Sequence, residues 1–233
     1  MSNSPLVDFT HLSPHNRGKR AYPVTRITPH HVVGLMSVES LGIEFDGTAK
    51  KSANYGIGRD GRVGLYVNED SCAITSGSYD NDSRAITIEC SDYPTEPYEF
   101  PEVVYSKLIE LCVDICKRYG KRKLLWLGTK EKTLSYKPKD DEMVLTKHNQ
   151  FAPTKCPGAW MEAHMEDLAN KVTEELNEDS APSKWAEESV GWTIESGILA
   201  GDKSGNLMLH SPITTERFCV MLKRYHDRFV AKG

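Results

Sequence analysis

The sequence predicts a mixed α/β domain, a central β-sheet flanked by helices, followed by a small helical module. Three observations predict it. Strand-like and helix-like segments alternate from residue 21 to about 176, the pattern of a sheet whose strands are joined through helices. The polar, Pro-containing stretch Asn177-Glu178-Asp179-Ser180-Ala181-Pro182-Ser183 reads as a linker. Beyond it, Lys184 to Gly197 and Ile213 to Phe229 look helical, but some 50 residues are too few for a large core. The predicted organisation is a main domain over 1–176, a linker over 177–183 and a helical module over 184–233.

Taken in order, residues 1–20 are polar and rich in turn formers, and read as an irregular arm. Arg26-Ile27-Thr28 is a strand entering the pair His30-His31, with Pro29 fixing the backbone so that the pair is presented at a strand end. Tyr55 to Gly58 meets the turn signal Arg59-Asp60-Gly61-Arg62, and Val63 to Val67 returns as the second arm of a hairpin. Ala85-Ile86-Thr87-Ile88-Glu89 alternates, placing Ile86 and Ile88 on one face and Thr87 and Glu89 on the other. Val103 to Arg118 has apolar residues at helical spacing, at Val104, Leu108, Leu111, Cys112 and Ile115. Leu124 to Gly128 is an apolar run that fits a buried strand, and Trp160 to Leu176 is a helix that closes the domain.

Composition narrows the function. A net charge of -4 lacks the basic footprint of nucleic-acid binding. No apolar run approaches the roughly 18 residues of a membrane span. The N-terminus has neither a basic start nor an apolar stretch, so it reads as no secretory signal, and synthesis in the cytoplasm is expected. The six cysteines follow no framework pattern and read as free thiols or ligands, with Cys112 and Cys116 as small core residues.

His148 and Cys156 stand eight positions apart, and Cys156 leads into the turn Pro157-Gly158. With one imidazole from His30-His31 they make a three-ligand zinc set with an open fourth position, as a catalytic zinc needs for water. No CxxC pair is present to supply a closing ligand. These residues alone point to a hydrolase.

Four segments, in this order and spacing, carry a family resemblance: Ile27-Thr28-Pro29-His30-His31, Ser52 to Gly61, Ser83 to Glu89, and His148-(seven residues)-Cys156-Pro157-Gly158. The chain resembles the type-2, zinc-dependent N-acetylmuramoyl-L-alanine amidases over Arg26 to Leu176, and among them endolysins of clostridial phages and prophages. The family shares its fold with peptidoglycan recognition proteins. The resemblance implies zinc held by His30, His148 and Cys156, with His31 a neighbour. It implies Glu89, in the pattern Ile-x-Ile-Glu, as the general base and acid. Other members use a Tyr at a position that is Ala53 here, while Tyr55 matches an aromatic core position. Thr154 falls where the family stabilises the tetrahedral oxyanion, with Lys155 beside it as a solvated charge.

The same resemblance implies hydrolysis of the amide between the lactyl group of N-acetylmuramic acid and L-alanine of peptidoglycan. The enzyme is then held in the host cytoplasm and acts on the wall after release. A cytoplasmic amidase recycling wall fragments and a non-catalytic peptidoglycan-binding module are the alternatives. The segment from Trp185 to Tyr225 resembles a single S-layer-homology motif, which implies an anionic secondary cell-wall polymer as partner, or self-association into a homo-oligomer. It departs from the motif at Thr214-Thr215, where an Arg often follows Thr, and Arg217 comes two residues later.

Overall fold

A computed structural model describes residues 3–178, 182–201 and 207–231. They form two compact units, Met1–Thr173 and Glu174–Gly233.

The first unit is built on one seven-stranded sheet in the order β1-β4-β3-β5-β2-β7-β6. The strands are β1 (Val7–Thr10), β2 (Arg26–His31), β3 (Tyr55–Ile57), β4 (Val63–Leu65), β5 (Ala85–Cys90), β6 (Lys123–Leu125) and β7 (Glu142–Leu145). Only β3 and β4 pair antiparallel, as the hairpin predicted around Asp60-Gly61; the other neighbours run parallel. Gly61 sits at φ +81 in that turn, a conformation most side chains disfavour. Five helices belong with the sheet: α1 (Val38–Glu44), α2 (Tyr79–Arg84), α3 (Glu102–Arg118), α4 (Lys130–Ser135) and α5 (Ala159–Glu178). The observed sheet flanked by helices is the predicted fold class.

The two faces of the sheet differ. Ile27, Ile86, Ile88, Met143 and Leu145 are fully buried apolar residues on one face. Cys90 on that face lies within electrostatic reach of Cys112 on α3, and Leu124 of β6 donates its N–H to Thr173 Oγ1 on α5 at 3.0 Å. The other face carries buried Thr28, Thr87 and Thr146; Thr87 bonds to Asn54 and Thr75, while Thr28 and Thr146 share a closed network with Asn81. Thr28 and Thr146 hydroxyls meet at 2.6 Å, and the Asn81 amide of α2 bridges both, donating to Thr28 and accepting from Thr146 at 3.1 Å each. Buried polar groups are tolerated when partnered in this way. The network ties the middle of β2 to the end of β7.

Two readings need correction. The stretch 1–20 is not irregular throughout: Val7–Thr10 is an edge strand paired with β4, its alternation hidden among turn formers. The run Leu124 to Gly128 is not a buried strand. Pairing covers Lys123–Leu125 at the other sheet edge, and only Leu124 is buried. The strand begun by Arg26-Ile27-Thr28 runs on through Pro29 and includes both histidines, which are its last two residues and so stand at the strand end as expected. In addition, α5 extends through Asn177 and Glu178, while 179–181 of the expected linker lie outside the described residues.

In the second unit a 3-10 turn, Lys184–Ala186, precedes α6 (Glu187–Glu195) and α7 (Thr215–Tyr225), which ends in a π turn over His226–Val230. Thr214 caps α7, its hydroxyl accepting from the Arg217 N–H at 3.2 Å. Trp192 stacks on Phe229 with centroids 5.6 Å apart, and Arg217 donates to the Leu207 carbonyl.

Behind the hairpin lies the carboxylate of Glu69, whose side chain is fully buried. It accepts two hydrogen bonds from Arg118 at 2.6 and 2.7 Å and one from Tyr55 Oη at 2.6 Å. Removing one partner of such a pair strands the other charge. Glu69→Ala is expected to lower the unfolding free energy by about 3 kcal/mol. Urea unfolding measures it, and a loss below about 1 kcal/mol, the worth of a surface pair, would contradict the buried-pair account.

Candidate metal centre

Parallel strands that end side by side deliver their last side chains to one place, and ligands of open α/β sheets gather outside those carboxyl ends. Here β2 and β5 pair in register from Arg26↔Ala85 to His31↔Cys90. Thr28↔Thr87 and His30↔Glu89 are therefore neighbours on the same face. Chain β7 continues past Thr146 into a 3-10 turn, His148–Gln150. Cys156 follows six residues later, just before α5, and the Asn149 N–H donates to its carbonyl at 3.2 Å.

Among the described residues, one ligand atom from each of His30, His148 and Cys156 lies within 4.8 Å of the others. His30 Nδ1 stands 3.3 Å from Cys156 Sγ, and the two imidazoles lie with centroids 4.9 Å apart and planes at 59°. The structure thus brings together the three residues expected as ligands.

Their chemistry fits a cation. His30 is 1% exposed, and its Nε2 is buried without a hydrogen-bond partner, an arrangement costly for a polar atom. Burial, with His148 and His31 adding repulsion, holds the His30 pKa well below the ordinary value. Burial lowers that of His148 as well, against the pull of Asp82. Both rings are then neutral at pH 7, the form that ligates metals. Burial pushes the Cys156 thiol well up, and the Glu89 carboxyl pushes it further, while the His31 backbone N–H bonds to the sulfur and opposes this. A dication beside the sulfur would favour the thiolate. Two imidazoles and a thiolate suit zinc.

His31 falls on the opposite strand face. Its Nδ1 lies 2.9 Å from Asp92 Oδ2, both side chains being nearly inaccessible. Asp92 also accepts from the Gly34 N–H at 3.0 Å. The His31–Asp92 pair was not read from the sequence, and no spacing signal marks two residues 61 positions apart. Gly158 completes the turn after Cys156 at φ +88, where a Cβ would lie 3.1 Å from the His31 ring and 3.0 Å from Tyr98 Cβ.

Glu89 is half-buried. Its carboxyl is pushed up to about 8 by burial, with Lys51 opposing and Asp92 adding. Tyr55 cannot take its place: that ring is fully buried in the core and its hydroxyl is committed to Glu69. Thr154 is exposed, and its Oγ accepts from the Cys156 N–H at 3.2 Å, leaving its own proton to donate. Lys155 is exposed and pairs with Glu96 at 2.6 Å, as expected of a solvated charge.

The family model described as N-acetylmuramoyl-L-alanine amidase matches residues 20–159. Among solved structures, a mutant endolysin from Bacillus subtilis aligns with a TM-score of 0.50 at 10% identity, covering 71% of this chain and 99% of that one. An endolysin N-acetylmuramoyl-L-alanine amidase from Clostridium intestinale aligns at 0.45 and 15% identity, covering 71% and 97%. The peptidoglycan recognition protein SA of Drosophila aligns at 0.47 and 14%, covering 69% and 91%. At such identities the likeness is one of fold. No curated protein matches the chain.

The raised carboxyl has a consequence for stability. Burial pushes the Glu89 carboxyl from the ordinary carboxylate range up to about 8 in the metal-free fold. The fold therefore favours the protonated form, and that preference supports stability at low pH and is lost as pH rises through 8. In the metal-free protein Glu89→Gln is expected to unfold later than wild type at pH 7.5, by on the order of 3 kcal/mol, with the advantage gone at pH 4. Urea unfolding at the two pH values decides it; a wild type as stable as the variant at pH 7.5 contradicts the assigned burial.

Proposed function

The chain belongs to the N-acetylmuramoyl-L-alanine amidase family, and from that premise we propose that it is a zinc-dependent endolysin. It cleaves the amide between the lactyl group of N-acetylmuramic acid and L-alanine of the stem peptide. The observation that carries this reading is the convergence of His30, His148 and Cys156, residues 126 positions apart at the extremes, with ligand atoms within 4.8 Å of one another. Three protein ligands leave a position open, which distinguishes a catalytic site from a structural one.

Zinc held there supplies a Lewis acid that polarises the scissile carbonyl and makes water acidic at neutral pH. The protein's own groups do the rest. Glu89, on the strand beside His30, takes the proton from the attacking water and returns it to the leaving amine of L-alanine. A dication held by the three ligands would favour the ionised carboxylate, the form that accepts a proton. Thr154, exposed at the mouth of the Cys156 turn, donates its hydroxyl proton to the oxygen of the tetrahedral intermediate. His31, through its backbone N–H, steadies the sulfur.

The helical unit is assigned to wall attachment or self-association. Its support is the exposure of Trp185 (89%), Ile213, Phe218 and Leu222, more apolar surface than isolated side chains present. Among the described residues no helix is long and apolar enough to cross a membrane.

Purified peptidoglycan tests the assignment. The protein is expected to release new L-alanine amino termini without new reducing sugars, and chelation should stop it. Sedimentation with the wall and no new ends would mark a binding module instead; activity on soluble fragments but not on intact wall would mark a recycling enzyme. Glu89→Gln should retain zinc and lose about 100- to 10,000-fold in turnover. Turnover near wild type in that variant removes Glu89 from the mechanism.

A further inference from the structure

His148 is carried by one 3-10 turn, not by a strand or a long helix. Such a turn has few bonds of its own, here Phe151 N–H to the His148 carbonyl at 2.9 Å and Gln150 N–H to the Lys147 carbonyl at 3.0 Å. Its orientation therefore depends on contacts from outside. The residues on either side of His148 send their side chains to one acceptor. Lys147 Nζ donates to Glu162 Oε1 at 2.9 Å, and Asn149 Nδ2 donates to the same oxygen.

Glu162 lies in the first turn of α5, which begins three residues after Cys156. Its own N–H donates to the Gly158 carbonyl at 3.0 Å. One carboxylate thus joins the segment bearing His148 to the segment bearing Cys156, alongside the Asn149–Cys156 backbone bond. An isolated ion pair at this degree of exposure, 20% and 36% for the two side chains, would contribute little. Two donors converging on one ionised acceptor define a direction as well as an energy.

We propose that Glu162 is a positioning residue for the metal centre, holding the His148 turn at the separation from Cys156 that a shared cation requires. The inference rests on the reading of His148 and Cys156 as metal ligands. Outer groups that orient ligands typically govern affinity by 10- to 100-fold. A carboxylate serving only the start of α5 would instead act on helix stability, through the unpaired N–H groups there.

Cobalt(II) binding to the full chain separates these roles. The measurements are Co(II) affinity by competition with a chromophoric chelator, the Co(II) absorption spectrum, and the melting temperature of the metal-free protein. Glu162→Ala is expected to weaken Co(II) binding by about 10- to 100-fold and to shift the ligand-field bands. Glu166→Ala, which removes an exposed carboxylate one turn along α5, should change neither. Should Glu162→Ala fail to fold, Glu162→Gln keeps the shape and one acceptor oxygen and should show a smaller loss of the same kind. A Glu162 variant with a lower melting temperature but wild-type affinity and spectrum overturns the positioning role alone. A wild-type protein that takes up no Co(II), or shows no thiolate-to-metal band, overturns the ligand assignment and this inference with it.

Discussion

The site depends on strand register. His30 and Glu89 are neighbours only because β2 and β5 pair without a slip from Arg26↔Ala85 onward. A shift of one residue would turn His30 to the opposite face and bring His31 forward in its place. What fixes the register is chemical on both faces. Ile27, Ile86, Ile88 and Leu145 must stay buried on one, and the Thr28–Thr146–Asn81 network closes only in this alignment on the other. The same network places the end of β7, and so the start of the turn that carries His148.

The electrostatics follow from that placement. Burying two imidazoles, a thiol and a carboxyl together favours their neutral forms. His30 and His148 are pushed down, and Cys156 and Glu89 are pushed up, each with burial as the main cause. Such a set is poorly suited to stability and well suited to receiving a cation, which reverses the bias on the sulfur. The cost sits at the proposed metal centre, a common trade in enzymes.

Much of this was legible in the sequence, for identifiable reasons. The hairpin shows because Asp60-Gly61 is a strong local turn signal, and β5 because Ile86 and Ile88 alternate with Thr87 and Glu89. A set of His148, Cys156 and one of His30-His31 was legible through residue type and order, and the family resemblance singled out His30. Elements decided by partners rather than by local pattern were not. Strand β1 is four residues long and exists through its pairing with β4. The apolar run after Leu124 reads as core, yet it lies at a sheet edge where Leu125, Trp126 and Leu127 are half-buried. The contacts of His31 with Asp92 and of Glu162 with the residues flanking His148 link distant segments, and no periodicity reports such pairs.

The central claim is a three-ligand centre of mixed donors with one position left for solvent. X-ray absorption spectroscopy at the zinc edge tests it most directly on zinc-loaded protein. The account predicts one sulfur at about 2.3 Å and two imidazole nitrogens at about 2.0–2.1 Å, with a further light atom from solvent. A first shell without sulfur, or one with two sulfurs, would contradict it.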